Sequence, residues 1–321
     1  MQQSLKHLGP GNFAMVMGLA GLALAWKRAE GLMGEQALQV AAGFGALAAL
    51  AFVALGVASL LRWQRHPEAW LEDFRHPVRH AFVAALPVSL ILLSTVAWAL
   101  FGPHPLTQAT WMLGCAAQFG VTVWVLARFL KGPATGMASL TPVLIIPVVG
   151  NVLAPLAGVG LGLPNWAAAQ FGLGLLLWPL VMGLLLLRLV QQGMWPERLL
   201  ATSFITVAPP AVVGLSALQL GAPEPLAWMA WGMALGFLLV SGSVLGRVRR
   251  QGFALPWWGM SFPLAAFAAL SLRLQGGLLG ILLLALASVV VVGLLLATWR
   301  AARAGQLWVP EPVATLQPAT P

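Results

Sequence analysis

Charged residues are scarce in this sequence. Only 8% of the 321 residues are Asp, Glu, Lys or Arg, whereas soluble chains average about 25%. Hydrophobic residues make up 60% of the chain, and the mean hydropathy is +0.89. So few charges cannot solvate the surface of a water-soluble enzyme of this length, and so many apolar residues exclude a disordered chain. The composition therefore indicates an integral membrane protein.

Cysteine is almost missing and tyrosine is absent. The one cysteine, Cys115, has no partner for an internal disulfide or for a Cys-x-x-Cys metal or redox site. The chain has 15 tryptophans and 14 phenylalanines, so tryptophan is expected to supply the aromatic side chains at the membrane interfaces. These absences exclude disulfide-stabilised folds and dithiol chemistry.

Apolar stretches long enough to cross a bilayer follow one another along the chain. A hydrocarbon core of roughly 30 Å needs about 20 apolar residues in a helix. Ten such stretches contain no Asp, Glu, Lys, Arg or His, although a charge at the centre of an inserted helix costs about 2.5–3.5 kcal/mol. We therefore predict an all-α integral membrane protein with ten transmembrane helices. The predicted spans are Leu8–Trp26, Ala37–Leu61, Ala81–Gly102, Leu106–Ala127, Met137–Val159, Pro164–Leu187, Leu199–Leu220, Pro225–Gly246, Phe253–Leu272 and Gly276–Trp299.

Basic residues are distributed unevenly between the two sets of connecting loops. With the N-terminus in the cytoplasm, 14 of the 17 Lys and Arg residues lie on the cytoplasmic side, and only Lys27, Arg28 and Arg273 lie outside. Because basic residues in short loops are retained in the cytoplasm, this alternation predicts an inner or plasma membrane protein with both termini cytoplasmic. The net charge of +9 is then an orientation signal, and a nucleic-acid partner is not expected.

The ten spans are expected to form one domain. We predict a single membrane domain over residues 1–300 and a disordered, proline-rich cytoplasmic tail over residues 301–321. The first span ends in Ala23-Leu24-Ala25, a pattern also found at signal-peptide cleavage sites. A single lysine, Lys6, precedes that span, which favours a retained first helix.

Prolines are concentrated in the odd-numbered spans. Proline bends a helix and frees a backbone carbonyl that lipid cannot satisfy, so kinked helices are expected to pack inside. We therefore predict five helical hairpins, with kinked odd helices as an inner ring around a pore and even helices outside. The alternative is that proline is simply commoner in membrane helices. The interior prolines of odd spans are Pro87, Pro142, Pro147, Pro155, Pro209, Pro210, Pro256 and Pro263, and Pro179 is the exception in an even span.

Ionisable residues are missing from every predicted span. His66, His76 and His80 share one loop with acidic residues, but their spacing matches no metal motif. Because the spans contain no acid–base pair and no ligand cluster, we expect neither an enzyme nor a metal or cofactor site. Proton coupling is also disfavoured, since it commonly uses an ionisable group within the membrane.

The remaining pore would be lined by small, apolar and weakly polar groups. Hydroxyls such as those of Thr141, Thr206 and Ser261 are available, without any fixed charge. The surplus of arginine at the cytoplasmic mouth would concentrate anions rather than cations. A pore of this kind is expected to prefer weakly hydrated anions.

Five segments in order resemble the tellurite-resistance/dicarboxylate transporter family, which includes bacterial tellurite-resistance proteins and plant guard-cell anion channels. The resemblance runs from about residue 9 to about residue 300. The segments are Gly9–Phe13 leading into Gly18–Trp26, His76–Val78, Ile146–Gly150, Phe204–Val212 and Trp257–Leu264.

The resemblance implies specific roles for several residues. It implies five hairpins around a central pore, a homotrimer with one pore per protomer, and a phenylalanine gate at the position of Phe262. The neighbouring Pro263 would kink the helix and aim the ring inward. The candidate pore-lining residues are Phe13, Gly18, Phe204 and Ser261, and the candidate kinks of the pore helices are Pro87, Pro147, Pro209, Pro210 and Pro263. Phe82, like Phe13 and Phe204, is a phenylalanine that could narrow the pore, although nothing in its immediate sequence separates it from a packing residue.

Together these observations predict an anion channel or channel-like exporter whose partners are small anions and the lipid bilayer. The resemblance leaves open a proton-coupled transporter of malate-like dicarboxylates, or an exporter of sulfite or tellurite. A third alternative is a membrane scaffold or sensor with an occluded pore.

Overall fold

The computed structural model describes residues 5–131, 137–274 and 277–309. Within these ranges every regular element is an α-helix or a 3₁₀ helix, and no strand is present. The all-α prediction is therefore confirmed for the described part of the chain. Residues 310–321, which belong to the predicted tail, lie outside the described residues.

The longer α-helices are numbered here in chain order. Short helical turns at Ile145–Val149 and Pro155–Gly158 stand where the fifth span was predicted. The 3₁₀ segments used below are Pro10–Phe13, Arg79–Ala84, Pro142–Leu144, Gly150–Leu153, Glu197–Val207 and Leu255–Met260. The α-helices are α1 (Ala14–Arg28), α2 (Glu35–Arg65), α3 (Pro67–Arg75), α4 (Ala85–Phe101), α5 (Pro105–Lys131), α6 (Pro164–Gln192), α7 (Ala208–Gln219), α8 (Glu224–Gly242), α9 (Ser261–Leu274) and α10 (Leu278–Arg303).

Eight helical stretches in the described residues are long and apolar enough to cross a membrane. They coincide with the predicted spans other than the first and the fifth. The first predicted span consists of a 3₁₀ turn, Pro10–Phe13, followed by the 15 residues of α1. The fifth is a series of short turns between Pro142 and Gly158. The helices are thus those of a multi-pass membrane protein.

The candidate proline kinks lie where helix type changes. The 3₁₀ segments Arg79–Ala84, Glu197–Val207 and Leu255–Met260 run directly into α4, α7 and α9. Proline has no N–H group to donate. It is therefore tolerated where the backbone changes from the i→i+3 hydrogen bonds of a 3₁₀ helix to the i→i+4 hydrogen bonds of an α-helix. Pro147 follows the same pattern in a shorter segment, because it is the third residue of the turn Ile145–Val149, which directly follows the 3₁₀ segment Pro142–Leu144. The prolines in the first turn of the α-helical parts are Pro87, Pro209, Pro210 and Pro263.

Side chains satisfy the backbone of the interrupted fifth span. Gln118 on α5 donates from Nε2 to the carbonyl oxygens of Ile146 at 3.2 Å and Pro147 at 3.0 Å. Thr122, one turn later, places Oγ1 2.6 Å from the Pro147 carbonyl oxygen and accepts a hydrogen bond from Asn151 Nδ2 at 2.8 Å. Unpaired backbone groups are costly at membrane depth, so these polar residues explain how a broken helix is tolerated there.

The membrane segments divide into buried and exposed ones. We compared the most apolar 18-residue window of each segment. The buried share of this window is 94% in Glu197–Gln219 and 78% in Leu255–Leu274, but only 17% in α2 and 22% in α8. Each buried segment packs against the exposed helix that follows it in the chain: α1 against α2, α4 against α5, the fifth-span turns against α6, α7 against α8, and α9 against α10. The exposed helices carry large apolar side chains on their outer faces, for example Leu50 and Val289, which suits contact with lipid.

Candidate pore and its basic mouth

A cavity of about 180 Å³ lies between the buried segments. All five contribute to its wall, through Met17 of α1, Val88 of α4, Ile146 of the fifth-span turns, Val212 of α7 and Phe262 of α9. Among the described residues, the exposed helices contribute only Arg62, at the end of α2. The cavity therefore belongs to the buried set of segments, which carries most of the interior prolines.

Phe262 lies on this wall, as the second residue of α9. Its side chain is 8% exposed. Gly21 of α1 makes room for the ring, because a Cβ atom at Gly21 would lie 2.7 Å from Cδ2 of Phe262. The predicted gate thus sits on the cavity wall, where α1 and α9 approach closely enough to limit the positions of its ring.

Phe82, the further phenylalanine that could narrow the pore, also lines this cavity. The four other candidate pore residues lie behind the wall rather than among the described residues that line the cavity. The ring of Phe13 packs edge-on against Phe52, with centroids 5.6 Å apart. Gly18 and Ser261 meet between α1 and α9, where a Cβ atom at Gly18 would lie 2.1 Å from Ser261 Oγ. Phe204 is buried in the 3₁₀ segment Glu197–Val207. A pore-lining role for these four residues stays a prediction.

A second cavity, of about 540 Å³, adjoins the first. Three arginines, Arg79, Arg198 and Arg300, line it together with His7 and His76, and no acidic residue is among its described wall residues. We call it the basic chamber. Its positive potential attracts anions towards the inner cavity. The two cavities share six wall residues: His7, Arg79, Phe82, Leu255, Pro256 and Val309.

A buried ion network stands where the two cavities meet. Asp73 is fully buried, and its Oδ2 lies 2.7 Å from Arg62 Nη1 while its Oδ1 lies 2.9 Å from Arg79 Nη1. Arg62 also donates from Nε to the Lys6 carbonyl oxygen at 3.0 Å. One carboxylate between two guanidinium groups leaves a net positive charge. The network joins the N-terminal segment, α2, α3 and the residues before α4.

His76 is held in its neutral form on the wall of the basic chamber. Burial, followed by the nearby Arg79 and His80, lowers the pKa of His76 from 6.5 to about 4. Its Nδ1 atom accepts hydrogen bonds from the backbone N–H groups of Val78 and Arg79, both at 3.1 Å. A neutral imidazole that accepts at Nδ1 carries its proton on Nε2. His76 therefore supplies an uncharged N–H donor.

We expect acidification to reduce the stability of the wild-type protein more than that of a His76→Gln variant. Unfolded His76 binds a proton below its ordinary pKa of 6.5, whereas folded His76 binds one only below about 4. Stability therefore falls as the pH drops through this window, since the unfolded state binds more protons. The measurement is the thermal unfolding midpoint in detergent above pH 6.5 and near pH 4. Equal decreases in the two proteins would contradict the assignment.

No sequence pattern predicts several of the residues that line the two cavities. Arg79 was notable only as a basic loop residue, and Thr202 only as part of an apolar stretch. Val309 follows α10 within the predicted tail, yet it lines both cavities. Beside it, Trp308 donates from Nε1 to Asn12 Oδ1 at 3.4 Å. The Gly9–Phe13 motif, which contains Asn12, was the one local clue to this region.

The chain is similar to several known membrane transport proteins. The chain is 24% identical over 280 residues to the S-type anion channel SLAH2 of Arabidopsis thaliana, which covers 84% of this chain and 53% of SLAH2. It thus spans about half the length of that relative. It is 25% identical over 265 residues to the tellurite resistance protein TehA homolog of Haemophilus influenzae, covering 81% and 79% of the two chains. It is also 25% identical over 295 residues to an uncharacterized transporter of Methanocaldococcus jannaschii, covering 83% of each.

A family model described as SLAC1, voltage-dependent anion channel, matches residues 7–305. This match spans every described membrane helix and confirms the resemblance found in the sequence motifs. The chain belongs to the SLAC1 family of anion channels, and it is a multi-pass membrane protein of a channel and transporter family.

Proposed function

We propose that this protein is a channel that passes small inorganic or organic anions down their electrochemical gradient through the cavity between the buried segments. The observation that carries the proposal is the cavity itself. All five buried segments line it, and it adjoins a chamber lined by three arginines. Beyond Arg62 and Arg79 at the mouth, its described wall carries no Lys, Arg, Asp or Glu. Such a wall cannot replace a tightly held hydration shell, so weakly hydrated anions are favoured.

The proposal includes ten membrane crossings arranged as five hairpins in one domain over residues 1–300. Packing of each buried segment against the next exposed helix supports this arrangement. In the first crossing, the 15 residues of α1 rise about 1.5 Å each and the four 3₁₀ residues before it about 2.0 Å each. The sum is roughly 30 Å, the thickness of the hydrocarbon core. The buried segments then form the inner ring, with the exposed helices outside.

Phe262 is the proposed gate of this pore. Its position on the wall of a cavity of only about 180 Å³ supports this role. The close approach of α1 at Gly21 restricts the directions in which the ring can turn aside. Pro263, the next residue, lies in the first turn of α9, where it sets the path of the helix beside the ring.

The basic chamber is proposed to face the cytoplasm, with both termini on the same side of a cell membrane. The distribution of basic residues over the loops supports this orientation. A homotrimer with one pore per protomer is proposed from the family resemblance. The exposed apolar faces of helices such as α2 and α10 would contact lipid or a neighbouring protomer.

Anion flux in proteoliposomes tests the proposed function. We expect nitrate and chloride to cross faster than sulfite or malate, and the reversal potential to follow the anion gradient without any shift under a pH gradient. Protein-free liposomes are the control. A reversal potential that moves with pH would favour a proton-coupled dicarboxylate carrier. No flux, even after Phe262→Ala substitution, would favour a scaffold or sensor.

A further inference from the structure

The arginines of the basic chamber are not neutralised by nearby carboxylates. Arg198 and Arg300 form no ion pair with any residue that the structure describes. Glu197, the acid next to Arg198, is already engaged: its Oε1 lies 2.5 Å from Arg247 Nη2 and its Oε2 accepts a hydrogen bond from Gln251 at 2.8 Å. Two guanidinium groups on the chamber wall are therefore free to bind a solute.

Arg79 adds a third, partly neutralised cation to the same wall. It shares the carboxylate of Asp73 with Arg62, so one negative charge serves two guanidinium groups. Its Nε atom is buried and has no hydrogen-bond partner within the described ranges. That atom is closed off from the chamber, so Arg79 can reach a bound anion only through the exposed 32% of its side chain. His76 contributes an uncharged N–H donor to the wall.

This set of donors matches an anion with several oxygen atoms and more than one charge. Guanidinium groups form paired hydrogen bonds with neighbouring oxygens of carboxylates and phosphates. Three of them around one chamber exceed the charge of a monovalent anion. The volume of about 540 Å³ is within the range of small-molecule sites, roughly 300–1,000 Å³. The narrower inner cavity offers a dianion no comparable partners beyond its mouth.

We propose that the basic chamber is a binding site for a doubly charged tetrahedral oxyanion of the sulfate or phosphate type, and that the bound anion obstructs monovalent anions entering from this side. Binding depends on the chamber alone. The obstruction rests on the proposed channel function.

Sulfate is the probe, because it keeps both charges throughout the neutral pH range. Equilibrium binding of radiolabelled sulfate is measured with the purified full chain in phosphatidylcholine nanodiscs. We expect saturable binding that weakens by at least about tenfold in the Arg198→Gln/Arg300→Gln variant, since two charge-assisted contacts are lost. The matched control is Arg249→Gln/Arg250→Gln, which removes the same charge from exposed arginines outside both cavity walls. Its affinity is expected to equal that of the wild type.

Absence of saturable binding, or equal affinity in the two double variants with unchanged unfolding midpoints, overturns the proposal. Nitrate current in planar bilayers separates it from the channel function. Sulfate binding without nitrate current would leave the site standing and reject the channel, whereas nitrate current without binding or block by sulfate would reject the site. Nanodiscs that contain phosphatidic acid, whose monoester phosphate can carry two charges, distinguish the source of the oxyanion: competition with sulfate indicates a lipid phosphate, and no competition indicates a soluble anion.

Discussion

Replacing Phe262 with alanine is expected to raise anion conductance severalfold. The ring lies on the wall of a cavity of about 180 Å³, where the neighbouring helix α1 leaves it little room to move. Truncation to alanine removes the ring without adding a charge or a hydrogen-bonding group, so the expected effect is a wider pore. The measurement is nitrate current in planar bilayers or oocytes, normalised to the amount of protein in the membrane.

Phe267→Ala is the matched control for this experiment. Phe267 lies on the same helix and is fully buried, but its ring packs against Trp231, with centroids 5.5 Å apart, and it is not among the described residues of the cavity wall. The control loses the same atoms, so it tests for general loosening of α9. Unchanged current in well-expressed Phe262→Ala, or an equal rise in Phe267→Ala, would remove Phe262 from the gate.

Replacing Asp73 with leucine is expected to destabilise the protein by about 3–5 kcal/mol, the usual cost of removing one partner of a buried ion pair. The side chain of Arg62 is 2% exposed, so without Asp73 its charge is buried with no counterion. Arg79, whose side chain is 32% exposed, would lose the same carboxylate but could turn to water. Unfolding of the purified protein in detergent, followed by tryptophan fluorescence, measures the loss.

A double variant shows whether the loss comes from the buried charge. Replacing Arg62 with methionine in the Asp73→Leu background removes the unpaired guanidinium and keeps an apolar side chain of similar length. Buried ion pairs are often replaced by apolar residues at little cost, so the double variant is expected to regain most of the lost stability. The Arg62→Met single variant is measured as well. If the stability lost in the double variant equals the sum of the losses in Asp73→Leu and Arg62→Met, the ion pair does not stabilise this junction.

Much of the fold and one central site residue could be predicted from particular features of the sequence. The charge-free stretches identified eight membrane helices, because a charge near the centre of a membrane helix is costly. The motif around Trp257–Leu264 placed Phe262 on the helix that now supplies part of the cavity wall. Both are local properties, which can be interpreted without knowing which segments touch.

Other features depend on contacts between distant residues. Ala14 and Gly18 are small residues four positions apart, a spacing that indicates close helix packing. Only the folded chain shows that Gly18 packs against Ser261. The prolines predicted kinks, but only the structure shows that all five candidate kink prolines lie where 3₁₀ helix changes to α-helix. The fifth predicted span is interrupted, and its stability depends on Gln118 and Thr122 of another helix.

The charged residues show the same difference between what the sequence predicts and what the tertiary structure adds. The scarcity of charge by itself determined that the chain is a multi-pass membrane protein, because each stretch must match its solvent and lipid excludes charge. Only the tertiary structure decided where the remaining charges act. Arg79, Arg198 and Arg300 are far apart in sequence and belong to three different segments, but packing brings them to one chamber. Hydrophobic matching is a property of each segment, whereas a binding site depends on how the segments pack together.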